Sequence, residues 1–212
     1  MTAELLQLTS ARSSTDMAAD SREKAVDEEN SPYDASQENF ISKNNVYILG
    51  PFDRSISQKV IPKLVDLIEA ERHKKDPKIT VYINSYGGAF PELLGVLTLL
   101  QQAKDYGIKI VTVVIGRAVS CGSILACFGD ERKMYRHALN LAHLGMQLDS
   151  VSTNEQIDRT SKKWKWHFKT ILDMYHEFTG CPKKKLEALL KDDCGWLTPD
   201  ECMQLGFATE II

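Results

Sequence analysis

Three short apolar runs rich in β-branched residues each lead into a segment of helical periodicity, and this alternation restricts the fold more than any other feature. Val46-Tyr47-Ile48-Leu49 is closed by Gly50-Pro51. Ile56, Val60, Ile61, Leu64, Val65, Leu67 and Ile68 follow, spaced as one face of a helix that Pro62 kinks or starts. Ile79-Thr80-Val81-Tyr82-Ile83 runs into Asn84-Ser85-Tyr86-Gly87-Gly88, and Pro91 opens a helix through Leu93, Leu94, Leu97 and Leu100. The third run, residues 108–115, is expected to end at Gly116, with a helix beginning around Ser120. Met134-Tyr135 and residues 139–142 are weaker strand candidates. Helices are expected over 154–178, stopped by Gly180, and over 182–190. Thr198-Pro199-Asp200-Glu201 has the form of a capping box ahead of a last helix ending near Gly206, and residues 208–212 can close the sheet. Strands alternating with helices define an α/β domain with largely parallel pairing.

A chain of 212 residues suits one such domain with a tail. Residues 1–44 are polar and acidic, typified by Asp27-Glu28-Glu29-Asn30-Ser31-Pro32, and read as a disordered extension or pro-segment; the folded domain is expected over 45–212. The net charge of -3 supplies no basic footprint for nucleic acid. Lys162-Lys163-Trp164-Lys165-Trp166-His167 interleaves cations and aromatics, but on a helix it separates into an apolar face and a lysine face, which suits packing or subunit contact better. No apolar run reaches the ~18 residues of a membrane span. The first residues lack the apolar core of a secretory signal, and Asp16, Asp20 and Glu23 are out of place in a transit peptide. Five cysteines without C-x-x-C spacing read as free thiols of a reducing compartment, with no zinc site. A cytoplasmic location is therefore expected.

Four places can carry chemistry. Ser120 sits where a strand meets a helix, either as an ordinary N-cap or as a side chain lifted into a cleft beside helix N-terminal amides. Gly87-Gly88 follows a strong strand, where the missing Cβ opens a structural turn or lets backbone N–H groups approach a ligand. No G-x-x-x-x-G-K-[ST] follows, so the pair is not a P-loop. His143 ends a short apolar strand and can serve as a core-edge residue or as the base for a serine. Asp192-Asp193 is either a solvated turn or the carboxylate that orients such a histidine.

Three segments in one order resemble the Clp protease proteolytic subunit family. Val81-Tyr82-Ile83-Asn84-Ser85-Tyr86-Gly87-Gly88 is similar to its Y-I-N-S-P-G-G segment. Residues 116–123, Gly-Arg-Ala-Val-Ser-Cys-Gly-Ser, are similar to its G-x-A-A-S-M-G-A nucleophile segment, and residues 196–206 to its C-terminal F/W-L-S/T-x-x-E-A-x-x-Y-G signature. The resemblance spans about residues 45–212. It implies a crotonase-like fold of repeated β-β-α units with a protruding handle helix over 154–178. It implies Ser120 as nucleophile, His143 as base, and backbone amides of Gly88 and Cys121 as the oxyanion hole. Counting from Thr179-Gly180 makes Asp193 the third triad member; counting from Trp196 sets Cys194 opposite that position, and Asp192 is then the alternative. The resemblance further implies a serine endopeptidase without metal or organic cofactor, acting on unfolded proteins or peptides. Heptameric rings stacked as a tetradecamer, fed by a separate Clp-type ring ATPase that alone uses ATP, are the implied assembly, in the cytoplasm, a host cytoplasm or a plastid stroma.

The chain departs from the pattern at two visible places. Tyr86 stands where the family has Pro before the glycine pair, and Leu144-Gly145 follow His143 where the family usually has Gln-Pro. Two rival readings accompany the peptidase: an inactive ring subunit of the same fold, and an acyl-CoA enzyme of the crotonase fold.

Overall fold

The computed structural model describes residues 38–145, 154–191 and 195–212. Its strands are β1 (Phe40–Ser42), β2 (Asn45–Ile48), β3 (Lys78–Ser85), β4 (Lys109–Val119), β5 (Glu131–Met134), β6 (Leu139–Leu141), β7 (Trp196–Leu197) and β8 (Glu210–Ile211). The helices are α1 (Ile61–Glu71), α2 (Phe90–Asp105), α3 (Cys121–Cys127), α4 (Asn154–Thr179), α5 (Lys183–Lys191) and α6 (Pro199–Leu205). The chain is thus an α/β protein with a mixed sheet. Strand order is β1-β2-β3-β4-β5-β8, and β6 pairs with both β4 and β7. The β2-β3-β4-β5-β8 pairings and β4-β6 are parallel; β1-β2 and β6-β7 are antiparallel.

The central strands are apolar because parallel strands are covered on both faces. Ile79, Val81 and Ile83 of β3 and Ile110, Val111, Val113 and Val114 of β4 are all buried. Ile79, Val81, Ile83, Ile110 and Val114 join Leu64 and Ile68 of α1, Leu93, Val96, Leu97 and Leu100 of α2, and Tyr175 of α4 in one core. Val65, although on the apolar stripe read from the sequence, is half exposed. Pro62 does not mark the start: helical backbone already runs through a π-helical turn, Ile56–Val60, into α1, and Ile61 N–H donates to Ile56 O just before the proline, which sits in the first turn of α1 where the lost N–H is tolerated.

Two expectations change. The segment 1–44 is not wholly an extension, because Phe40–Ser42 pairs with β2 from Phe40↔Tyr47 to Ser42↔Asn45. Buried Asn39 fixes it: its Nδ2 donates to Pro51 O at 2.9 Å and its Oδ1 accepts from Gly50 N–H at 2.9 Å. Nor does β4 stop at Gly116. Pairing with β3 jumps from Ile83↔Val114 to Ser85↔Ala118, so residues 115–117 bulge opposite Asn84. A Cβ at Gly116 would press on Asn84 Oδ1 at 2.7 Å, so this glycine admits the asparagine and lets the strand continue.

The bulge also lets β4 change partners. Val111–Val114 pair with β5, and Arg117–Val119 pair with β6. The C-terminal cap is as read from the sequence: Thr198 Oγ1 accepts from Glu201 N–H, the Glu201 carboxylate accepts from Thr198 N–H, and Gly206 closes α6 in the left-handed region. Thr198→Ala is expected to cost about 1 kcal/mol and lower the melting temperature by ~2–4 °C, read by thermal denaturation. Among the described residues, no helix is long and apolar enough to cross a membrane.

Candidate active site

Ser120 stands at the β4–α3 junction in a conformation that L-residues rarely adopt, with φ 55° and ψ -119°. Such strain persists only where the surroundings over-determine it. Here they do: Ser120 N–H donates to Leu141 O of β6 at 2.9 Å, and Ser120 O accepts from Ser123 N–H at 2.9 Å and Ile124 N–H at 3.2 Å. The Ser120 side chain makes no capping bond to the helix, so the N-cap reading does not explain the residue.

The glycine pair lies directly against it. Gly87 has φ +95°, and a Cβ there would meet Ser120 Cβ at 2.6 Å and Val119 O at 2.7 Å. Gly88 has φ +141° and is laid on Phe52, whose N–H donates to Gly87 O at 2.8 Å while Phe52 O accepts from Ala89 N–H at 2.7 Å. Among the described residues, the backbone N–H groups of Gly88 and Cys121 donate to no backbone carbonyl. Both residues border the cavity that Ser120 lines. Two amides beside a serine hydroxyl have the make-up of a site that stabilises an oxyanion.

Cys121 is nearly fully buried, and its Sγ donates to Gly88 O at 3.2 Å. Burial pushes the thiol up to about 11, against smaller opposing effects of hydrogen bonds with the Gly88 backbone, the Ser120 side chain and its own backbone. The thiol therefore stays protonated at neutral pH and acts as a weak hydrogen-bond donor rather than as a nucleophile.

His143 follows β6 by two residues, so the Val119↔Leu141 pairing brings it to the same cavity as Ser120. Its Nδ1 accepts from Gly145 N–H at 3.2 Å. The neighbouring Ala142 N–H donates to Gly195 O at 3.0 Å, which ties the chain just after residues 192–194 to the histidine segment. Asp192, Asp193 and Cys194 themselves lie outside the described residues.

The cavity has a volume of about 710 Å³. Its remaining walls include Phe90, Val119, Ile124 and Leu141, and three residues of α4, Trp164, His167 and Ile171. The sequence showed α4 to be amphipathic but not that this face closes the cavity; the only signal was the spacing 164, 167, 171. Tyr86 borders the cavity too and lies under Arg117, whose guanidinium carbon is 3.8 Å from the ring centroid. Among the described residues, no group of three or more His, Cys, Asp or Glu side chains is placed to hold a metal ion.

Comparison with known proteins places this architecture in a family. The Clp protease family model matches residues 28–212, so the chain belongs to the Clp protease family, a family of serine peptidases. It is also similar to the ATP-dependent Clp protease proteolytic subunit 2 of Thermobifida fusca (strain YX), with 26% identity over 185 residues, covering 85% of this chain and 86% of that protein.

Proposed function

We propose that the chain is a serine endopeptidase, the proteolytic subunit of an ATP-dependent Clp-type protease. The observation that carries this reading is Ser120: strained, not engaged as a cap, and beside two amides that serve no backbone carbonyl. Ser120 Oγ attacks the scissile carbonyl while His143 takes its proton. The Gly88 and Cys121 amides hold the oxyanion, and the imidazolium returns the proton to the leaving amine. Water then enters, His143 deprotonates it, and the acyl-enzyme is hydrolysed. Asp193, or Asp192 as the alternative, is proposed to hold the imidazole with its proton on Nδ1, so that Nε2 can accept from the serine. The fold is proposed to be crotonase-like, and the assembly to be stacked heptameric rings served by a Clp-type ring ATPase in the cytoplasm.

One observation favours a second reading, a ring subunit without activity. The Gly145 N–H occupies His143 Nδ1 as an acceptor, whereas a base acting through Nε2 needs Nδ1 to donate. Productive chemistry through Nε2 therefore requires Nδ1 to carry a proton and donate.

Fluorophosphonate labelling with peptide mapping, together with hydrolysis of fluorogenic peptides, separates the readings. The active enzyme is expected to be labelled at Ser120. One of Asp192→Asn and Asp193→Asn is expected to lower kcat by about 10³–10⁴-fold, with the other close to wild type. Absence of labelling and of hydrolysis in the assembled protein would establish the inactive subunit.

A further inference from the structure

The α4 wall of the cavity is not uniformly apolar. Trp164, His167 and Ile171 stand one helical turn apart and line it together. Phe90, Val119, Ile124 and Leu141, which carry no side-chain hydrogen-bonding group, line the same cavity. His167 is held edge-on to Phe90, with ring centroids 4.6 Å apart, and to Trp164, at 5.1 Å. Two aromatic contacts fix the plane of its ring without using either nitrogen. The open side of Gly145 lies against His167 Nε2, 3.5 Å from where a Cβ would sit, so the imidazole borders the segment that carries His143.

We infer that His167 is a specificity-determining residue, whose imidazole selects substrates with a large P1 side chain ending in a hydroxyl, tyrosine over phenylalanine. This rests on the peptidase reading above and adds the side chain that the site accepts. A cavity of about 710 Å³ is within the range that binds organic groups, and its aromatic and aliphatic walls suit a ring. A phenol hydroxyl both donates and accepts, so it pairs with a neutral imidazole in either tautomer. Neutrality is favoured here, because burial and then the nearby Lys163 hold the imidazole below its ordinary range. Phenylalanine would fill the same walls but leave the half-buried imidazole without a partner. The sequence offers this histidine only as the end of a Lys/Trp run, and the fold turns it inward.

The test is the kcat/KM ratio for two fluorogenic peptides that differ only in tyrosine or phenylalanine at P1, hydrolysed by the full-length protein. The wild type is expected to favour tyrosine by about five- to tenfold. His167→Leu is expected to bring the ratio to about one or below, and His167→Gln, which keeps a donor and an acceptor, to retain part of the preference. A small fluorophosphonate without a P1 side chain checks that Ser120 remains reactive in each variant. A wild-type ratio near one, or a ratio unchanged in His167→Leu, overturns the inference while leaving the peptidase reading intact. If the leucine variant is no longer labelled, the glutamine variant decides, and loss of the whole preference there counts against the inference. Failure to hydrolyse either peptide or to label Ser120 in the wild type overturns the peptidase reading and this inference with it.

Discussion

Ser120→Ala is expected to lower kcat/KM for peptide hydrolysis by about 10⁴–10⁶-fold and to abolish fluorophosphonate labelling. The size of the effect follows from the role: without Oγ no acyl-enzyme forms, and only the amides and the binding walls remain to assist water. The substitution is expected to leave the fold intact. The bonds that hold the junction run through the backbone, from Ser120 N–H to Leu141 O and from Ser123 and Ile124 N–H to Ser120 O. The hydroxyl does not cap α3, so its removal exposes no helix amide that it had served. Alanine tolerates φ 55° no better than serine, so the strain is unchanged. Stability within about 1 kcal/mol of wild type is therefore expected, measured by thermal or denaturant unfolding. Full hydrolytic activity in this variant would remove the basis for the proposed mechanism.

What the sequence shows of this site and what it hides divide along a physical line. Local signals are legible. Pro62 marks the switch from a π-helical turn to α1, Gly180 ends a helix with φ +71°, and Thr198 with Glu201 caps another. Each depends on a few adjacent residues. The course of β4 is not local. Gly116 reads as a strand terminator until Asn84 of the neighbouring strand is seen filling the space that its Cβ would take. β1 is hidden for the same reason, since three residues with one half-buried isoleucine have no periodicity, and the clamp of Asn39 on Gly50 and Pro51 is a contact across the chain. The candidate site follows this rule. Its strand-turn-helix junction and its glycine pair are visible in order, whereas the backbone strain at Ser120 and the α4 wall arise only from packing. Helical spacing defines a face of α4, but nothing in that spacing says what the face covers.

The glycine pair gives the second large expected effect, because Gly88 packs against Phe52 and is also the proposed oxyanion donor. In Gly88→Ala the new Cβ would lie 2.5 Å from Phe52 O and 2.8 Å from Phe52 N, inside contact distance of backbone that cannot rotate away. The 87–89 segment must then lift from Phe52, weakening the bonds from Phe52 N–H to Gly87 O and from Ala89 N–H to Phe52 O. The Gly88 amide moves with it. Loss or misplacement of one oxyanion donor lowers kcat by about 10²–10³-fold, with KM little changed, since the donor acts on charge that develops in the transition state. The φ of +141° adds about 1–3 kcal/mol of backbone strain to the cost of the contact itself. Gly107→Ala separates the two components. Gly107 also has a positive φ, +79°, but a Cβ there meets nothing within 4 Å. That variant is expected to lose about 1 kcal/mol of stability and no activity, as read by melting and by peptide hydrolysis. If Gly88→Ala also kept full kcat, the Gly88 amide would have no part in the reaction, and the glycine would be there only to let β3 and α2 meet against Phe52.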